Sequence, residues 1–106
     1  MIRINFFFTD KFLSAFKING HGPEYVCSAV SILAINTINC IEKFTDDKFL
    51  CDYNKNGGMI DFKFADDKNV SHDSKILMAA LEFGLRNVCE EYEKFVCISE
   101  VKLWLD

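Results

Sequence analysis

The sequence predicts an α+β protein, a two-layer sandwich in which two helices cover one face of a mostly antiparallel sheet. Three observations carry that expectation. Five short stretches alternate between apolar and polar residues, two longer ones repeat at helical spacing, and the strands come largely in pairs joined by turn chemistry. The resulting order is β-β-α-β-β-α-β.

Residues 2–8 set Ile2, Ile4, Phe6 and Phe8 against Arg3, Asn5 and Phe7, a strand period. Thr9-Asp10-Lys11 makes a turn, and residues 12–18 alternate again with Phe12, Phe16 and Ile18 on one face. Asn19-Gly20 ends that run with residues that tolerate positive φ. His21-Gly22-Pro23-Glu24 is then a loop, because Pro23 has no amide hydrogen for a ladder. Tyr25 to Lys43 reads as a helix with Val26, Ala29, Val30, Leu33, Ile38 and Ile41 on one face. Ile32 and Ile35 spread its apolar surface nearly all round, so burial on a second side, against a partner subunit, is expected.

Phe49, Cys51 and Tyr53 form a third strand, Asn54-Lys55-Asn56-Gly57-Gly58 a hairpin turn, and Ile60, Phe62 and Phe64 a fourth strand. After a polar loop at Asp66 to Asn69, Ser71 or Asp73 caps a second helix running to about Lys94. Ile76, Leu77, Ala80, Leu81, Leu85, Val88 and Tyr92 form its apolar spacing. Val96 to Leu105 is a final strand, with Cys97, Ser99, Val101, Leu103 and Leu105 on one side. No repeat, linker or low-complexity segment interrupts the chain, so residues 1–106 are expected to be one domain.

Composition narrows the function classes. Half of the 106 residues are apolar and 26% are charged, which suits a packed core rather than disorder. The net charge of −4, with Lys and Arg scattered among Asp and Glu, argues against direct nucleic-acid binding. The opening MIRINFFFTDKF lacks the apolar length and small-residue cleavage site of a signal peptide, and Tyr25 to Ile41 reads as a buried helix rather than a membrane span. Five Cys, an odd number without a CxxC pair, point to reduced thiols and a cytoplasmic location.

The informative stretch runs from Asn19 to Ser31. It puts His21 on a glycine-flanked loop and Cys27 at the start of a long helix. The partial positive charge and unpaired amides of a helix N-terminus favour a thiolate over a thiol, and a nearby imidazole adds to that effect. Amides at Cys27 and Ser28 could serve as an oxyanion hole, and Gly20 and Gly22 would let a substrate backbone approach. The competing account is a small packed Cys and an ordinary loop His. Cys40, Cys51, Cys89 and Cys97 fall on apolar faces and are expected to pack in the core. His72 belongs to a capping region. Asp46-Asp47 and Asp66-Asp67 read as turn residues, and the spacing gives no zinc site. Asn69-Val70-Ser71 matches a glycosylation sequon that a cytosolic protein would not use.

Gly20, His21, Val26, Cys27, Ala29 and Ser31 resemble the signature of the ribosomal-processing cysteine protease family, and the likeness in element order extends over essentially the whole chain. The resemblance implies a cysteine endopeptidase that removes, after Phe, the N-terminal extension of a bacterial large-subunit ribosomal protein precursor. It implies Cys27 as nucleophile, His21 as general base, a homodimer, and no metal or organic cofactor. Glu24 stands where many relatives carry Asp and could steer the imidazole or touch substrate. Ser31, one helical turn beyond Cys27, could support the thiolate. Two departures stand out: Gly22 replaces the usual Ala, and the loop between His21 and Cys27 is short. The alternative is a non-enzymatic ribosome-associated binding module in which Cys27 is packed.

Overall fold

The computed structural model describes residues 1–54 and 58–102. Its elements are β1 (Ile2–Thr9), β2 (Phe12–Gly20), α1 (Glu24–Phe44), β3 (Phe49–Asn54), β4 (Met59–Phe64), α2 (His72–Glu91) and β5 (Val96–Lys102). The β-β-α-β-β-α-β order and the α+β class are those expected. The middle of the 54–58 turn and the end of the last strand, Leu103 to Leu105, lie outside the described residues.

The sheet order is β3-β4-β2-β1-β5. Three neighbouring pairs are antiparallel, whereas β5 runs parallel to β1 after the α2 crossover. Ile4, Phe6, Phe16, Ile18, Ile60 and Phe62 fill the inner face, and Phe16 stacks on Phe62 with ring centroids 5.3 Å apart. A register shift between Phe7 and Phe8 interrupts the alternation of β2, so Leu13 and Ser14 are both buried. Asp10, in the β1–β2 turn, takes the left-handed conformation at φ 55.

Both helices pack on this core. α1 buries Val26, Val30, Ala34, Ile38 and Ile41, and α2 buries Met78, Leu81 and Leu85. With 21 residues and a mean hydropathy of 1.4, α1 is long and apolar enough to cross a bilayer, yet this face is spent on the sheet and α2. The helices meet at Gly84, where a Cβ would come within 3.3 Å of Leu33 Cδ1. Thr37, buried in α1, donates its hydroxyl to the Leu33 carbonyl and so leaves no orphan polar group.

Several expectations about faces need correction. Cys51 and Cys97 are exposed, not packed; Cys40 and Cys89 are half-buried. Cys51 lies on edge strand β3, which beyond Phe49 is exposed throughout. In β5 the inward positions are Val96 and Ile98, which turns Cys97 outward. In α2 the core position falls to Met78, while Ile76 and Ala80 face outward.

Candidate active site

β2 delivers the chain to the site through Gly20. Its φ of 94 and the Met1 carbonyl, 2.1 Å from where a Cβ would sit, together exclude any side chain there. His21, Gly22 and Pro23 then cross to α1, which Pro23 opens as N-cap. The Pro23 carbonyl accepts the amides of both Val26 and Cys27 at 3.0 Å. The Cys27 amide is therefore already committed to the helix and does not supply the oxyanion donor expected of it. Ser28 is exposed one residue further into the ladder.

What does point at the sulfur is the preceding loop. The Gly22 amide donates to Cys27 Sγ at 3.4 Å, and the thiol faces the Gly22 carbonyl at 3.5 Å. A Cβ at Gly22 would meet only the flexible end of Ile2, 3.3 Å away, and Phe95 at 3.7 Å. The departure from Ala at this position is thus a small one in space.

Cys27 half-emerges into a cleft of about 250 Å³. Its walls come from four elements: Ile2 of β1, Ile18 of β2, Val30 and Ile35 of α1, and the β3–β4 hairpin with Tyr53, Met59 and Ile60. Ser31 lines the same cleft, as its helical spacing from Cys27 requires. Ile35, expected on a second helix face, belongs to this wall.

His21 is exposed, and its carbonyl accepts from the Met1 ammonium at 2.7 Å. Its imidazole rests against Gly58, where a Cβ would lie 2.9 Å from Nε2 and 3.0 Å from Cε1. Among the described residues it forms no hydrogen bond with Cys27 or any other side chain. Glu24 is exposed in the first turn of α1, where its charge suits the helix dipole. The hairpin's part in the site was not visible in the sequence; the Gly57-Gly58 pair announced a turn and nothing more.

The remaining thiols are chemically set apart. Burial pushes the Cys51 thiol up, and the neighbouring carboxylates of Asp52 and Asp61 add to that. Burial likewise raises Cys89, with Cys97 contributing. His72 sits on a larger open depression of about 830 Å³, beside Lys11, Phe12 and Lys75, with no cysteine in its lining. Among the described residues no three His, Cys, Asp or Glu side chains gather as metal ligands would.

A model of the family Cysteine protease Prp matches residues 1–97. None of the curated proteins matches the chain. Among solved structures, it resembles the essential ribosomal processing protease Prp from S. aureus in complex with a covalently linked product peptide. That likeness has a TM-score of 0.85 at 20% identity, over 95% of this chain and 100% of that one. The same protease with a substrate peptide gives 0.84 at 18% identity, over 95% and 100%. SMU.848 from Streptococcus mutans gives 0.84 at 24% identity, over 96% and 95%. At these identities the likeness is one of fold.

Proposed function

The chain belongs to the cysteine protease Prp family, and from that premise we propose that it is an endopeptidase working through Cys27 and His21. The observation that carries the reading is the placement of Cys27 Sγ. It lies in the first turn of α1, receives a backbone N–H from Gly22, and opens into an apolar cleft. The Cys27 thiol gives its proton to the His21 imidazole, and the sulfur attacks the scissile carbonyl carbon as the C–N bond breaks. The protonated imidazole of His21 gives its proton to the leaving amine, and a thioester remains. His21 then takes a proton from water, whose oxygen attacks the thioester, releasing a carboxylate and restoring the thiol. Ser31 lines the same cleft, while the Gly20 and Gly22 backbones, rather than standing open to substrate, bind the hairpin and the sulfur.

The substrate proposed is the N-terminal extension of a large-subunit ribosomal protein precursor, cut after Phe. Support comes from the family and from the cleft, whose aliphatic walls with Tyr53 suit one aromatic side chain. We place the enzyme in the cytoplasm as a homodimer. Support for the dimer is the outer helix surface, where Ile32 is 66% exposed and Phe83 70%.

Cys27→Ala is expected to keep the fold and to lose cleavage of a peptide spanning the extension junction, followed by mass spectrometry. Near wild-type turnover in that variant would remove the protease mechanism and leave a binding module with a packed cysteine.

A further inference from the structure

The β3–β4 hairpin lies far from His21 in sequence, yet it touches the imidazole. We propose that Gly58 is a positioning residue, the seat that holds the His21 ring in register with Cys27. The proposal rests on the reading of His21 as general base. Three observations carry it. First, the imidazole packs on the bare Cα of Gly58, with 2.9 Å from Nε2 and 3.0 Å from Cε1 to the place a Cβ would occupy. Second, the Gly20 amide donates to the Gly58 carbonyl at 3.0 Å, and Asn19 pairs with Met59. The hairpin is thereby fixed to the residue just before His21. Third, Gly58 lines the same cleft as Cys27, so the residue that the ring rests on is itself part of the wall around the sulfur.

The chemistry explains why a seat is needed. An exposed imidazole with no side-chain partner samples several rotamers, and general-base efficiency depends on the fraction of time spent in reach of the sulfur. A flat glycine surface removes some of those rotamers without adding a hydrogen bond that would compete for the ring nitrogens.

Two demands on Gly58 can be separated. Its φ of 96 lies beyond the left-handed region that Asn tolerates, so any side chain at this position strains the turn as well as meeting the ring. A Cβ at this position, in Asn or in Ala, pushes the exposed imidazole off its seat. The seat is told from the turn by coupling: strain in the turn slows the reaction independently of His21, whereas loss of the seat acts only through the His21 ring.

The test uses the full chain and two readouts, peptide turnover and the rate of Cys27 alkylation at neutral pH. Gly58→Asn is expected to lower turnover by about a hundredfold, the scale of a displaced catalytic group. It should also slow alkylation as His21→Ala does, with no further slowing in the double variant. In the wild-type protein, nuclear Overhauser contacts from the His21 Cε1 proton to the Gly58 α protons are expected, a measurement that needs no variant to fold. Wild-type turnover in Gly58→Asn, slowing that adds fully to that of His21→Ala, or absence of the contacts would each overturn the seat. Full activity in His21→Ala would instead overturn the base assignment, and the contacts would still report on the seat.

Discussion

The Gly22 amide and the sulfur of Cys27 are five residues apart and 3.4 Å from each other, so the short loop itself brings a hydrogen-bond donor to the proposed nucleophile. A backbone donor is fixed by the chain path, unlike a side chain that must surrender rotamers to reach the same place. His21 has the opposite character: its ring is exposed and held by packing alone. His21→Ala therefore removes the proposed proton carrier while leaving the Gly22 contact in place. Turnover is expected to fall by at least about a hundredfold, the lower range for losing a general acid–base group. Circular dichroism should remain unchanged, because among the described residues the imidazole forms no side-chain hydrogen bond. Turnover within a few-fold of wild type would assign the proton transfers elsewhere.

At the level of elements, the start of α2 is held from outside the helix. Ser71 caps it by accepting the Ser74 amide at 3.2 Å, and Asp47, from the α1–β3 connection, caps the cap. Its carboxylate accepts the Ser71 amide at 3.2 Å and the hydroxyls of Ser71 and Ser74 at 2.5 Å. Burial pushes the Asp47 carboxyl up, but these hydrogen bonds, with one from Thr45, outweigh it and hold it below its ordinary value. Because the folded value lies below the unfolded one, the stabilisation is fully present above the ordinary carboxylate range and is lost as pH falls through the folded value. Asp47→Ala is expected to cost about 1–3 kcal/mol near neutral pH, the range for hydrogen bonds to a charged group. Urea unfolding of both proteins should show the gap narrowing below about pH 4. A gap that stays constant into strong acid would mean that Asp47 acts by shape rather than charge.

For the whole molecule, the open question is what covers the outer side of the helix layer. Ile32 and Phe83 stand next to Leu33 and Gly84, where α1 and α2 meet, and Ile76 and Phe44 share a shallow depression further along. Large apolar side chains exposed along one helix layer are the kind of surface that a second copy covers. Light scattering at micromolar concentration is expected to give a dimer, and Phe83→Glu to shift it toward monomer by placing charge in the contact. A wild-type protein that stays monomeric through that range would count against the assembly.

The sequence by itself determined what depends on neighbours along the chain. Periods of two and of about three and a half residues set the order of strands and helices, and Ser71 announced the second helix start. Helical spacing put Cys27 and Ser31 on one face, as their shared cleft requires. The tertiary structure decided what depends on pairing across the fold. Alternation in β3 and β5 could not tell an edge strand or an outward register from a core position, so Cys51 and Cys97 were misplaced. Ile35 looked like spare apolar surface because the far wall of the cleft it lines, with Ile60 and Tyr53, comes from the hairpin. The same long-range pairing brings Gly58 under His21, turning a glycine of a turn into part of the site, whereas the expected oxyanion donor is removed locally, by the Pro23 carbonyl four residues before Cys27. Periodicity records which way a side chain faces; only the folded sheet determines what it meets there.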